Sequence, residues 1–193
     1  SHYQGQHNLL IPVRQNNEIV SMQFIGPDGG KRFLAGGALR GSHTFVGDPG
    51  QMANGVVLAE GFATAASIYQ ATGLPVVVTF NAGNLPIVAE KLAQTLPADI
   101  AVTIAADNDV SGTGIQKAQE AAAFLGERAR VVMPQFSAEQ IERYQAEYGR
   151  VDADGKIRLP SDFNDLQQLA EAAAVQAQIK PVMTQENEQQ PTF

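Results

Sequence analysis

The sequence predicts an α/β fold built on a parallel sheet of about four strands, with helices on both faces. Four short apolar runs alternate with three stretches of helical periodicity. The runs are continuous rather than alternating, as expected of strands buried on both faces. They occupy residues 56–59, 76–80, 100–106 and 130–133. Because crossovers between parallel strands are right-handed, the helices are expected to cover the sheet.

The amino-terminal 55 residues are predicted to form a separate β-rich subdomain. LLIPVRQ and EIVSMQFIG flank the short polar segment QNN, and the turn sequence PDGG leads into KRFL. This pattern is typical of a β-hairpin or meander. The glycine-rich residues 35–55 predict a loop with at most one strand, around Thr44–Val46.

Residues 56–180 are predicted to form the main domain, which ends in a helical extension. Helices are expected over residues 62–72, 85–96 and 114–127, between the strands. Two more are expected over residues 137–148 and 165–178. Residues 181–193 are rich in Gln and Glu and predict a disordered tail.

Composition narrows the possible functions. The chain of 193 residues contains no cysteine, which excludes disulfides and thiolate metal sites and favours a cytoplasmic location. No apolar run approaches the length of about 20 residues that crosses a membrane. The net charge is −7, but residues 1–58 carry four Lys or Arg against three Asp or Glu. Nucleic acid would therefore be contacted locally, or through metal ions that screen the carboxylates.

Polar side chains follow the ends of three predicted strands. Glu60 follows the first run, Asn81 the second, and Asp107 and Asp109 the third. Ligands of open parallel sheets lie beyond the carboxyl ends of the strands. If the first and third strands are neighbours, Glu60, Asp107 and Asp109 converge and repel one another. A hard divalent cation, Mg²⁺ or Mn²⁺, relieves that repulsion and suits oxygen ligands.

Each acidic residue also has a purely structural interpretation. An Asp-x-Asp pair is common in solvated loops, and Asp109 could cap the helix that begins near Gly112. Asp162 and Asp165 could likewise be helix caps, and Asp165 is the more plausible cap of the two. Gly112 and Gly114 would let the backbone turn away and leave the metal face open. The combination of motifs is stronger evidence than any one of them.

Two of these motifs carry a resemblance to a known family. LAEGFATAASI, followed by IAADNDVSGTG, resembles the topoisomerase–primase (Toprim) domain. The flanking LLIPVRQNNEIVSMQFIGPDGGKRFLAGG and PSDFNDL are similar to Toprim primases of conjugative plasmids and to phage or plasmid primase–helicases. The resemblance implies a Rossmann-like Toprim fold.

The resemblance also implies a role for each matching acid. Glu60 matches the Toprim glutamate that acts as general base or acid in phosphoryl transfer. Asp107 and Asp109 match the aspartates that bind Mg²⁺ or Mn²⁺, so all three acids are catalytic candidates and metal ligands. Asp162 and Asp165 lie where primases place a further acidic group that helps to hold metal. The sequence DFND here differs from the DxD of bacterial replicative primases.

The implied function is the catalytic core of a DNA primase, acting in plasmid or phage replication or in conjugation. Its partners would be single-stranded DNA, ribonucleoside triphosphates, and a helicase or relaxase domain of the same or another chain. Lys31, Arg32, Arg40 and Asn81 are candidates for contacting template or nucleotide. Solvated surface charge is an equally good interpretation of these cations.

Three competing functions follow from the same residues. A Toprim-type nuclease would keep the metal site. A Toprim module that only binds nucleic acid would need no catalytic residues. The presence of Glu60, Asp107 and Asp109 together disfavours the binding module. A flavodoxin-like nucleotide-binding domain is disfavoured, because neither GxGxxG nor a Walker sequence follows the first strand.

Overall fold

The central element of the fold is a five-stranded, mostly parallel sheet. The structure is a computed structural model that describes residues 2–3, 6–149 and 157–180 of the chain. The predicted tail, residues 181–193, lies outside the described residues. The strands of the sheet are β6 (Thr44–Val46), β7 (Val56–Ala59), β8 (Val76–Val78), β9 (Val102–Ala105) and β10 (Ala129–Val132). They lie side by side in the order β10–β9–β7–β8–β6.

The predicted neighbours are confirmed. β7 pairs in parallel with both β8 and β9, and Ala59 lies opposite Ala105 at the carboxyl ends. The observed strand ends fall within two residues of the prediction. The largest difference is at β8, which stops at Val78 rather than Phe80. Phe80 has a φ of 71°, a left-handed conformation that does not belong to a strand.

The antiparallel strand β6 was not expected in this sheet. The sequence predicts at most an isolated strand at Thr44–Val46, yet it pairs with Val76–Val78 and forms the edge beyond β8. An antiparallel edge strand on an otherwise parallel sheet is a common arrangement in α/β proteins.

Five α-helices lie among the described residues, and they cover both faces of the sheet. They are α1 (Phe62–Thr72), α2 (Leu85–Thr95), α3 (Thr113–Leu125), α4 (Ala138–Tyr148) and α5 (Phe163–Ile179). Alternate residues of β7 face opposite layers. Val57 and Ala59 pack with α1 and α5, whereas Val56 and Leu58 pack with α2 and α3. The predicted α/β architecture is confirmed. No helix in the described ranges is long and apolar enough to cross a membrane.

The last helix differs from its prediction. The alanine-rich run predicts one continuous helix, but the backbone leaves helical geometry at Ala170 and Glu171, where φ is −142° and 63°.

Three short 3₁₀ helices occupy Pro49–Asn54, Ala82–Asn84 and Gly126–Arg128.

The amino-terminal region forms the predicted meander. It consists of β3 (Leu9–Gln15), β4 (Glu18–Ile25) and β5 (Lys31–Phe33), paired antiparallel in that order. Two very short strands, β1 (His2–Tyr3) and β2 (Gln6–His7), precede it. The meander packs on the main sheet, because Ile11 and Val13 are buried in the same cluster as β7. The Phe33 ring meets Phe80 edge to face at 5.8 Å between centroids, which places β5 beside the carboxyl end of β8.

Candidate functional site

Four carboxylates lie together at the carboxyl end of the sheet. Glu60 directly follows β7, and Asp107 and Asp109 follow β9, its neighbour. Asp162 arrives from the far end of the chain, because the Asn108 amide donates a hydrogen bond of 2.7 Å to the Ser161 carbonyl. The charges of Asp109 and Asp162 help to raise the pKa values of Glu60 and Asp107, so the four acids lie within electrostatic reach of one another.

The ionised form of Asp107 is strongly disfavoured by its surroundings. The pKa of Asp107 is raised to about 7, mainly by burial and further by the charges of Asp162 and Glu60. Its Oδ1 is buried and has no hydrogen-bond partner among the described residues. A buried acceptor without a partner costs about 1–3 kcal/mol. A divalent cation would supply the missing partner and favour the ionised carboxylate.

Glu60 is partly buried, and its pKa is also raised. Burial is the main cause, and the charges of Asp109 and Asp162 contribute. The backbone amide of Ala82 and the ammonium of Lys31 act in the opposite direction and lower the pKa. A carboxylate with a raised pKa is a stronger base than an ordinary glutamate.

Asp109 is held in a different way. Its Oδ2 accepts a hydrogen bond of 3.0 Å from the Gly114 amide, and its Oδ1 accepts a short hydrogen bond from the Ser111 hydroxyl. These donors, Ser111 first, lower its pKa. Because Gly114 lies in the first turn of α3, Asp109 does help to cap that helix. Capping leaves lone pairs on both oxygens for a metal ion.

Two glycines give the Asp109 loop its shape. Gly112 has a φ of 71°, in the left-handed region. A Cβ at Gly114 would lie 2.7 Å from the Asp107 carbonyl oxygen and 3.0 Å from Asp109 Oδ2. Position 114 therefore requires glycine for close approach, and position 112 favours it for conformation. Ser111 and the Gly114 amide are contacts that the sequence analysis missed, and their short spacing from Asp109 is the signal that could have found them.

The two acids near α5 have separate positions. Asp165 was the favoured helix cap, and this is wrong. Asp162 is the N-cap, and its Oδ1 accepts a hydrogen bond of 2.9 Å from the Asp165 amide. Asp165 is buried behind it, accepts a hydrogen bond of 2.9 Å from the Ser161 amide, and has a pKa raised by burial. The charge of Asp162 helps to raise the pKa values of Glu60 and Asp107. Asp162 is therefore better placed than Asp165 as a metal ligand.

The predicted cations lie in different places. Lys31 is near the acids, since its Nζ is 3.7 Å from the position that a Gly61 Cβ would occupy. Arg32 follows Lys31 on the same strand and therefore projects from the opposite face. Arg40 lies with Asn81 in a separate groove of about 290 Å³.

A buried asparagine shapes that separate groove and was not predicted. Asn84 Oδ1 accepts from the Gly41 amide at 2.6 Å, and its Nδ2 donates to the carbonyls of Ser42 and Thr79 at 2.7 and 2.8 Å. Asn81 Oδ1 in turn accepts from the Asn84 amide at 2.9 Å. The loop before β6 is thereby fixed to the end of β8. The sequence NAGN directly after a predicted strand was the available signal.

The acids fit Mg²⁺ or Mn²⁺ as a partly hydrated ion. Within the described ranges, no group of three or more acidic or histidine side chains is placed so that it could hold a metal ion. Mg²⁺ usually keeps several waters and takes only one or two carboxylates, so it does not need such a cage. The unpartnered oxygen of Asp107 and the carboxylate of Asp109 would provide those ligands.

Fold and site together define an α/β domain with an acidic cluster at the carboxyl edge of its sheet. The chain belongs to the Toprim domain family, which it matches over residues 55–173. Two curated relatives, each a DNA primase TraC of Escherichia coli, are similar to it. One is 36% identical over 143 residues, or 69% of this chain, and the other is 33% identical over 181 residues, or 89% of this chain. The chain spans only 13% and 12% of the length of these relatives.

A solved structure shares the fold. The primase fragment of the bacteriophage T7 primase-helicase protein superposes with a TM-score of 0.63 at 15% sequence identity. The match covers 92% of this chain and 65% of that fragment. The high coverage includes the amino-terminal meander as well as the Toprim region.

Proposed function

We propose that this chain is the catalytic core of a DNA primase. It would synthesise RNA primers on single-stranded DNA by metal-dependent nucleotidyl transfer, in plasmid or phage replication or in conjugation. In this proposal residues 56–180 are the catalytic domain, residues 1–55 are a β-rich subdomain, and the reaction takes place in the cytoplasm. A helicase or relaxase domain, in this protein or another, is a further partner. The names of the similar relatives support primase activity.

The observation that carries the proposal is the unpartnered, buried oxygen of Asp107. Asp107 and Asp109 would hold Mg²⁺ or Mn²⁺, with Asp162 and Glu60 near the ion, and Asp165 would support Asp162 from behind. When bound, the metal would neutralise the triphosphate and stabilise the leaving pyrophosphate. Glu60 would take the proton from the attacking 3′-hydroxyl, because its raised pKa suits a general base.

The cations would serve the nucleic acid. Lys31 stands beside the acids and would contact phosphate oxygens of the nucleotide. Arg40 and Asn81 share a groove and would contact the template backbone, with Arg32 on the outer face of β5. Contacts of this kind orient a strand without reading its sequence.

The test is Glu60→Gln in the full-length protein, on single-stranded template with ribonucleotides and Mn²⁺. We expect primer synthesis to fall by roughly 10²- to 10⁴-fold, as for loss of a general base. Template binding is expected to stay the same. The matched control is Glu90→Gln, an exposed glutamate on α2, which should prime as the wild type does.

Two other outcomes would replace the proposal. Metal-dependent cleavage that Glu60→Gln abolishes, with no need for ribonucleotides, would indicate a Toprim nuclease. Equal priming by the variant and the wild type, with no cleavage by either, would indicate a non-catalytic binding module.

A further inference from the structure

A second cavity opens directly beside the acidic cluster. It is a groove of about 840 Å³ between the loop of residues 107–114 and the segment of residues 157–161. We call it the Phe136 groove. Its apolar walls include Phe136, Ile141, Ile157 and Leu159. Its volume falls within the range of about 300–1,000 Å³ that is usual for small-molecule sites.

Apolar side chains are left uncovered around this groove. Val110 is 87% exposed, Ile157 57% and Leu159 41%. Exposed apolar side chains that line a concave surface next to charged groups are a common feature of binding sites. Scattered single exposures, such as Phe124 at 49% on α3, need no such explanation.

Asp109 joins the groove to the acidic cluster. It lines the groove, and its charge also raises the pKa values of Glu60 and Asp107. One ligand of nucleotide size can therefore touch both places. Resting on the function proposed above, we propose that the Phe136 groove binds the base and ribose of the ribonucleoside triphosphate whose phosphates lie at Asp107 and Asp109.

The charge of the groove favours a nucleoside over a stretch of template strand. Among its described lining residues, Arg158 is the one cation, and Asp109 is an acid. A template strand would bring a negative phosphate with every nucleotide, whereas a base and its ribose are neutral. The Phe136 ring and the apolar walls offer a surface on which a base can stack. Asn108 is exposed at the rim, and its side-chain amide would contact polar edges of the base or ribose.

The experiment compares two ligands that differ only in the nucleoside. Binding of ATP and of inorganic tripolyphosphate, each with Mn²⁺, is measured by calorimetry for the full chain. The variant is the double substitution Ile157→Ala with Leu159→Ala, two exposed side chains whose truncation should leave the fold intact. We expect ATP to bind about tenfold more weakly to the variant, since apolar contact with the base is lost. Tripolyphosphate should bind the variant and the wild type equally.

The control variant is Phe124→Ala, which removes a similarly exposed side chain outside the groove and should change neither affinity. Equal binding of ATP by the double variant and the wild type would overturn the groove proposal alone. So would a wild type that binds ATP no better than tripolyphosphate, or a variant that loses both ligands to the same degree. A wild type that binds neither ligand would overturn both this inference and the proposed function.

Discussion

Asp107 and Asp109 are two residues apart, yet their surroundings are opposite. Asp107 is half-buried, has a buried oxygen without a partner among the described residues, and has a pKa raised to about 7. Asp109 accepts hydrogen bonds on both oxygens and has a lowered pKa. The comparison shows that one short loop can favour the ionised form of one carboxylate, Asp109, and disfavour the ionised form of another, Asp107. A cation that bridges both would gain most from Asp107.

The largest expected effect is on the pH dependence of stability without metal. Because the pKa of Asp107 is raised, the folded chain keeps a proton between about pH 4 and pH 7 that the unfolded chain releases. Stability should therefore fall as pH rises through this window. Asp107→Asn should remove on the order of 4 kcal/mol of that fall. Urea unfolding in EDTA at several pH values measures the change in the free energy of unfolding with pH.

Asp109 supplies the contrasting control in that experiment. Its pKa is lowered, so its contribution is present above the ordinary pKa of Asp and is lost as pH falls through the folded value. Asp109→Asn should therefore reduce stability at neutral pH, while Asp107→Asn increases it. Some decline with rising pH should persist in Asp107→Asn, because Glu60 and Asp165 also have raised pKa values. A decline identical to that of the wild type would contradict the environment assigned to Asp107.

The second effect concerns metal. Mn²⁺ at 100 times its dissociation constant should stabilise the wild type by about 2.7 kcal/mol. Asp107→Asn should abolish this gain, and Asp109→Asn should reduce it, although the two variants shift metal-free stability in opposite directions. Thermal unfolding with and without Mn²⁺ measures both quantities. If Asp107→Asn kept the full gain, the metal would have to bind elsewhere.

The smallest effect separates the two glycines of the loop. Gly114→Ala places a Cβ 2.7 Å from the Asp107 carbonyl oxygen, so the loop must shift at a cost of about 1–3 kcal/mol. Gly112→Ala meets no atom within 4 Å but strains a left-handed backbone, at about 1–2 kcal/mol. We expect only Gly114→Ala to weaken Mn²⁺ binding as well. Equal Mn²⁺ affinity in the two variants would show that close packing at Gly114 does not hold the acids in place.

Sequence alone predicted those parts of the fold that depend on local pattern. Four continuous apolar runs specified the parallel strands, and polar residues at their ends specified Glu60, Asp107 and Asp109. A strand at Thr44–Val46 was considered, but its place in the main sheet was not predicted. Three residues in a glycine-rich stretch contain no information on the partner strand β8. The break at Ala170 and Glu171 was missed because alanine-rich sequence favours continuous helix, and tertiary packing overrides that preference.

The structure brings the predicted acids Glu60, Asp107, Asp109 and Asp162 to one edge of the sheet, and their catalytic and metal-binding roles stay predictions. Either aspartate of SDFND suits a helix cap, and the choice depends on the position of Phe163. That side chain is fully buried in the core, so α5 begins there and the cap falls on Asp162. The opposite pKa shifts of Asp107 and Asp109 depend on burial and on donors from Ser111 and Gly114, which only the folded loop brings together. The Phe136 groove joins residues from three separate segments, so no sequence motif could mark it.

The order of strands in the sheet has a consequence for synthesis on the ribosome. Of the five strands in the main sheet, β6 leaves the ribosome first, but its only strand partner in the described sheet is β8, which comes later. β7 lies at the centre of the sheet and needs both β8 and β9 beside it. The nascent chain must therefore carry an unpaired edge strand while the centre of the sheet is still being made, a condition in which strand edges are prone to wrong pairing. Glu60 and Asp107 can meet only after β9 has emerged, and Asp162 can join them only after the start of α5 has been made.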